Sequence, residues 1–198
     1  MLVDHRAKLI SISVPKTGST SIHHALKRAL GAKNEVKSKL APVYHLNAED
    51  IRKIMGPQTF DSYFSFGVTR NPFDRMVSLY HDFHDQRGVI KADTFEDFIL
   101  NRFDEAWSQQ LHFLPQSFFL HAASGQVTSK AYRFEDGLEN ILANIVDRLG
   151  LENVAIGHAR KSERKNWQDY YSNTKTADVV RKVYASDFEA FNYATEVQ

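Results

Sequence analysis

Lys16, Thr17, Ser19, Thr20 and Ser21 crowd around Gly18 in the heptapeptide Pro15-Lys16-Thr17-Gly18-Ser19-Thr20-Ser21. One ammonium, several hydroxyls and a glycine turn make chemistry for an oxyanion. Lys8 to Val14, an extended apolar run, reads as a strand leading into the turn. After it, Ile22, Ala25, Leu26, Ala29 and Leu30 recur at helical spacing until Gly31. A strand feeding such a turn into a helix N-terminus aims backbone N–H groups and the positive end of the helix dipole at one point. The expected ligand is phosphate or a close relative of phosphate. A Walker loop would place its lysine after the last glycine, with a hydroxyl beside it for magnesium. Here Lys16 precedes Gly18, and Gly-Lys-Ser/Thr occurs nowhere in the chain, which argues against a nucleoside triphosphate.

A second cluster follows a second strand. Tyr63 to Thr69 alternates apolar side chains at Phe64, Phe66 and Val68, and Arg70-Asn71-Pro72-Phe73-Asp74-Arg75 comes next. Asn71 suits an N-cap, Pro72 the first helical position, and Asp74 the acidic side of the helix dipole. Arg70 then stands between strand and helix, Ser78 lies two turns along, and Arg75 and Ser78 share the spacing of one face. Arg70 has two readings: a fork for phosphate with the Ser78 hydroxyl as second donor, or the ion-pair partner of Asp74.

Together the two motifs resemble the sulfotransferases that use 3′-phosphoadenosine 5′-phosphosulfate (PAPS). Pro15 to Ser21 is similar to that superfamily's 5′-phosphosulfate loop, and Arg70 to Arg75 with Ser78 and Tyr80 is similar to its 3′-phosphate motif. The wording is that of the carbohydrate-type branch, the heparan/chondroitin sulfotransferases and their short bacterial relatives. Tyr132-Arg133-Phe134-Glu135 resembles that branch's Arg-Phe-Glu element, and Tyr170-Tyr171 through Asp187-Phe188 to Tyr193 its C-terminal helix. The resemblance implies an α/β, P-loop-like three-layer fold, with a central, mostly parallel sheet flanked by helices. It implies PAPS as co-substrate, adenosine 3′,5′-bisphosphate as product, and a carbohydrate or glycoconjugate acceptor. Thr17, Gly18, Ser19, Thr20, Ser21 and Lys16 would hold the 5′ end, and Arg70 and Ser78 the 3′-phosphate.

The composition suits that reading. With 198 residues and 42% hydrophobic content, one domain over 1–198 with a full-sized core is expected. The chain has no cysteine, which excludes disulfides and thiolate metal sites, and the scheme calls for no metal. The formal net charge of +1 gives no nucleic-acid signature. No apolar run approaches the ~20 residues of a membrane span, so a cytoplasmic enzyme is expected.

Around the motifs, strands and helices alternate as in a covered parallel sheet. Helices are expected over Asn47 to Met55, Pro72 to His84, Thr94 towards Phe103, Leu138 to Leu149 and Thr174 to Phe191, with a strand over Lys130 to Phe134. Residues 32–43 and the basic run 158–165 read as loops, the latter either solvated or a flap touching the ligands through Arg160 or Lys161.

Sulfuryl transfer is an in-line displacement in which positioning and charge stabilisation dominate. Lys16 is the residue to stabilise the departing phosphate. His45 lies between the two motifs, where glycosaminoglycan-type relatives carry a catalytic histidine, and an imidazole suits base catalysis near neutrality. Glu49, His81 and His84 are the alternatives. His23 and His24 are expected to face solvent or neighbouring elements. Two other functions stay open: a small-molecule kinase reusing the cradle for ATP, and a non-catalytic binder of adenosine 3′,5′-bisphosphate.

Overall fold

Among the described residues, four strands stand side by side in chain order: β1 (Leu2–Asp4), β2 (Leu9–Ile12), β3 (Phe64–Thr69) and β4 (Lys130–Arg133). The computed structural model describes residues 1–31, 45–121, 129–152, 154–157 and 164–197. β1 runs antiparallel to β2, with Leu2 opposite Ser11. β2, β3 and β4 are parallel, registered by Leu9 opposite Phe64 and Phe66 opposite Lys130. The mostly parallel sheet expected from the alternation of elements is therefore present.

β2 is buried along its whole length and β3 beyond Phe64, as strands covered on both faces are. The small residues alternating with the phenylalanines of β3 accordingly do not mark a solvent face. Ser65 pairs with the buried Ser129 hydroxyl at 2.6 Å. Gly67 leaves room for Leu120, whose Cδ2 would lie 2.4 Å from any added Cβ.

In chain order the α-helices among the described residues are α1 (Ser19–Leu30), α2 (Ala48–Met55), α3 (Pro57–Asp61), α4 (Pro72–His81), α5 (Phe95–Asp97), α6 (Glu105–Ser108), α7 (Gln116–Leu120), α8 (Leu138–Leu149), α9 (Thr174–Val183) and α10 (Ala185–Ala190). The chain divides into two compact units. The first comprises Met1–Thr69 with Phe118–Arg160, the second Arg70–Ser117 with Lys161–Gln198.

The core of the first unit joins Leu2, Leu9, Phe66 and Val68 of the sheet to Ile22, Ala25 and Leu26 of α1 and Ile141, Leu142 and Ile145 of α8. These are the apolar stripes that the helical spacing predicts. The core of the second unit is aromatic. Phe73 meets Tyr171 and Phe188, each at 5.1 Å between ring centroids, and Phe113 meets Phe83, Trp107 and Phe103.

Helix winding departs from expectation in two ways. α4 and α5 each continue in π-helical form, over Asp82–Gln86 and Phe98–Arg102, so the expected lengths hold but the regular α winding does not. The single helix expected from Thr174 to Phe191 breaks at Tyr184, which takes φ −109°. Tyr184 is fully buried, and its hydroxyl donates to the Phe113 carbonyl at 2.9 Å. Tertiary packing there overrides helix propensity.

Candidate active site

Two residues of the 15–21 turn have left-handed backbone, Lys16 at φ 64° and Gly18 at φ 77°. Glycine takes that conformation without penalty, whereas for lysine it costs on the order of 1 kcal/mol. Left-handed residues interleaved with others turn successive N–H groups towards one concave side, the geometry of an anion nest. Gly18 is also the N-cap residue of α1 and provides no side-chain cap, so the helix start depends on other partners for its first amides. A side chain at Gly18 is excluded on the far side too, since a Cβ would lie 2.8 Å from Leu138 Cδ1.

The hydroxyls divide into two sets. Thr17 and Ser19 are buried, and both donate to the Val14 carbonyl at 3.0 Å, bracing the loop against the strand that feeds it. Thr20 is exposed and Ser21 half-buried. Lys16 is half-buried as well.

His45 is held at the root of the same loop. Its Nδ1–H donates to the Ser13 carbonyl at 3.3 Å, across 32 residues of sequence. With the proton on Nδ1, the neutral ring carries its lone pair on Nε2, the arrangement a general base needs. Behind it lies His23, whose Nε2 meets the Ser11 hydroxyl at 2.8 Å. His23 is 6% exposed and packs on the neighbouring strand β2, one of the two settings expected for it, whereas His24 is exposed, the other. Burial, reinforced by the nearby Lys27 ammonium, lowers the His23 pKa well below the ordinary imidazole value. Ser11 and Ser13 point to one side of β2 because they are two apart, and α1 lays His23 and Ser19 over that side.

In the second unit, Asn71 caps α4 by accepting from the Phe73 N–H at 2.9 Å, and Pro72 is the first helical residue. Both features follow the sequence reading. Arg70 Nε donates to Asp74 Oδ2 at 2.7 Å, the ion pair weighed as one of its two readings. The main chain of Arg70 is clamped at both ends by the Gln116 amide: Arg70 N–H donates to Oε1 and the Arg70 carbonyl accepts from Nε2, each at 2.8 Å. Ser78 is half-buried on the next turns. Arg75, which shares helical spacing with Ser78, faces the core. It is fully buried and donates through Nη2 to the His112 and Leu114 carbonyls at 2.8 and 2.9 Å.

The other base candidates have defined partners. His81 meets Asp85 through Nδ1 and the Tyr170 hydroxyl through Nε2 at 2.7 Å, and His84 meets Asp85 and the Ala92 carbonyl. Hydrogen bonds from both histidines hold the Asp85 carboxyl below its usual range. Glu49 lies in the first turn of α2 and pairs with Lys53 at 3.5 Å.

Gln116 and Arg164, which donates to Asp74 Oδ1, are contacts of the second motif that sequence reading did not single out. Gln116 sits in an ordinary Leu-Pro-Gln-Ser stretch, and Arg164 is one of several cations in a basic run. The 158–163 part of that run, with Arg160 and Lys161, lies outside the described residues, as do 32–44. Among the described residues, no group of His, Asp or Glu side chains could hold a metal ion, and no helix is long and apolar enough to cross a membrane.

No curated protein and no solved structure matches the chain. A family model does: the one described as the sulfotransferase family aligns with residues 1–194, nearly the whole sequence and both motifs within it. The chain belongs to the sulfotransferase family, whose enzymes draw their sulfuryl group from PAPS.

Proposed function

We propose that this enzyme transfers the sulfuryl group of PAPS to a hydroxyl of a carbohydrate or glycoconjugate. The observation that carries the mechanism is the hydrogen bond from His45 Nδ1 to the Ser13 carbonyl, which tethers an imidazole to the strand end feeding the phosphate loop. PAPS, when bound, supplies the sulfuryl group and a phosphate leaving group. The loop residues Lys16, Thr17, Gly18, Ser19, Thr20 and Ser21 take the 5′ end, and Arg70 with Ser78 takes the 3′-phosphate. The strained left-handed backbone at Lys16 supports this assignment, since such conformations persist where a site needs them. The Lys16 ammonium offsets charge as it builds on the departing phosphate oxygen. His45 Nε2 accepts the proton of the acceptor hydroxyl, and the Ser13 carbonyl keeps the ring in the tautomer that can do so. The carbohydrate class rests on the wording of the two motifs.

The test is transfer of labelled sulfate from PAPS to a panel of sugars, lipids and phenols, without added magnesium. Labelled sugars are the expected product. Transfer to phenols alone would refute the acceptor class, and turnover that requires ATP and magnesium would favour a kinase.

A further inference from the structure

His84 turns both ring nitrogens towards oxygens that can only accept. Nδ1 meets Asp85 Oδ1 at 2.5 Å, and Nε2 meets the Ala92 carbonyl at 2.9 Å. A neutral imidazole has a single N–H, so making both bonds requires the imidazolium. His81 differs. Its Nδ1 meets Asp85 Oδ2 at 2.5 Å, but its Nε2 meets the Tyr170 hydroxyl at 2.7 Å, which can donate. One ring proton suffices there. With His84 charged and His81 neutral, the three side chains carry no net charge.

The turn that gathers them is the π winding of Asp82–Gln86, in which the Arg87 N–H bonds back to the Asp82 carbonyl at 3.0 Å. π turns recur at functional sites. The chain leaves this one through Gly88, at φ 61°, and folds back over it. The Val89 and Ile90 N–H groups return to the Phe83 carbonyl at 2.8 and 3.1 Å, and His84 fastens the far end of the loop at Ala92. Tyr80 stacks on the His84 ring at 4.9 Å and meets His81 edge-on at 5.3 Å. Asp93 and Asp97 act on Tyr80, Arg164 and Asp169 act on Tyr170, and Arg87 pairs with Asp82. Among the described residues, neither imidazole bonds to any of these outer charges.

We propose that His84 is a proton-operated clasp: charged, it fastens the 88–93 loop to the π turn, and on losing its proton it releases the loop. Asp85 joins this clasp to the tether between His81 and Tyr170, so one carboxylate serves both the loop and the 167–171 turn. The sign follows from the donors. A bond made only by the charged form contributes while the proton is on and is lost as the pH rises. The neutral ring keeps one N–H, which the anionic Asp85 attracts more strongly than the Ala92 carbonyl does, so the loop contact is the one to break. The His81 tether needs no second ring proton and holds throughout.

Nuclear magnetic resonance of the whole chain between pH 5.5 and 9 tests this. Ring nitrogen signals report the charge on His84. Solvent exchange of the Val89, Ile90 and Asp169 amides, corrected for base catalysis, reports opening of the loop and of the 167–171 turn. As His84 loses its charge, exchange at Val89 and Ile90 is expected to rise roughly ten- to hundred-fold, while Asp169 stays unchanged. His84→Phe keeps a ring over Tyr80 and removes both donors, so these two amides should exchange fast already at pH 6 and lose their pH dependence. Asp85→Ala should speed exchange at all three. The Tyr184 N–H, bonded to the Val180 carbonyl at 3.0 Å, shows whether each variant is folded.

A His84 ring that is neutral, or charged, across the whole range would overturn proton operation. So would Val89 and Ile90 amides that stay protected while the ring titrates, or a His84→Phe variant that keeps the native pH dependence. An Asp169 amide unmoved by Asp85→Ala would remove Asp85 as the joint. If a variant does not fold, the wild-type titration decides.

Discussion

Lys16 combines an ammonium with a left-handed backbone, and substitution can separate the two. Lys16→Ala removes the charge and keeps the strain, while Lys16→Gly removes both. If the ammonium stabilises developing charge, both variants lose far more turnover than affinity for adenosine 3′,5′-bisphosphate, because the interaction strengthens along the reaction. Lys16→Gly should then be the more stable of the two by about 0.5–1 kcal/mol, read from their thermal or urea midpoints. Recovery of turnover in Lys16→Gly would mean that loop shape, not charge, is what matters. His45→Asn is the companion change, since asparagine can still donate to the Ser13 carbonyl but cannot accept the acceptor's proton. Turnover should fall about 10²- to 10⁴-fold while nucleotide binding remains native. Near-normal turnover would move the base to Glu49, His81 or His84.

At the scale of elements, β2 and α1 bury His23 against Ser11, and burial sets a pH limit on the first unit. Desolvation holds the His23 pKa well below its ordinary value of 6.5, so the unfolded chain takes up a proton there before the folded one does. The stability is full above about pH 6.5 and is lost as the pH falls from there through the folded value, at a slope approaching ~1.4 kcal/mol per pH unit. Gln can replace the Nε2 contact with Ser11 without titrating, so His23→Gln should flatten urea midpoints between pH 6.5 and 5. An unchanged slope would place the acid-sensitive group elsewhere. Legibility in the sequence follows the same division between local and long-range causes. The Asn71 cap, the Pro72 start, the turn around Gly18 and the apolar stripes of α1 and α8 all depend on neighbours within a few residues, and periodicity exposes them. Burial of His23, the Gln116 clamp and the break at Tyr184 depend on partners 12, 46 and 71 residues away, which no local pattern encodes.

Across the whole molecule, each compact unit is built from stretches far apart in the chain, so a few long-range polar contacts must close it. In the second unit that role falls to Asp187. It is fully buried and accepts from the Gln116 and Ser117 N–H groups, each at 2.8 Å, where α7 begins. Gln116 in turn clamps the Arg70 main chain, so a carboxylate on α10 orients the backbone of a proposed phosphate ligand more than a hundred residues earlier. The buried Arg75 and Asp187 both act on Tyr184, with opposite sign; burial is the larger cause and pushes its hydroxyl up to about 12. Asp187→Asn keeps the shape but turns one acceptor into a donor facing an N–H. It should cost about 1.5–3 kcal/mol, the value of one charge-assisted hydrogen bond, as a lower urea midpoint at unchanged slope. Asp178, whose side chain is 65% exposed and pairs with Arg181, gives the control: Asp178→Asn should shift the midpoint by less than about 1 kcal/mol. Through Gln116, the loss in Asp187→Asn should also weaken adenosine 3′,5′-bisphosphate more than adenosine 5′-phosphate. Equal midpoints for the two variants would remove Asp187 from this role, and a stability loss with both nucleotides bound as in the wild type would confine it to folding.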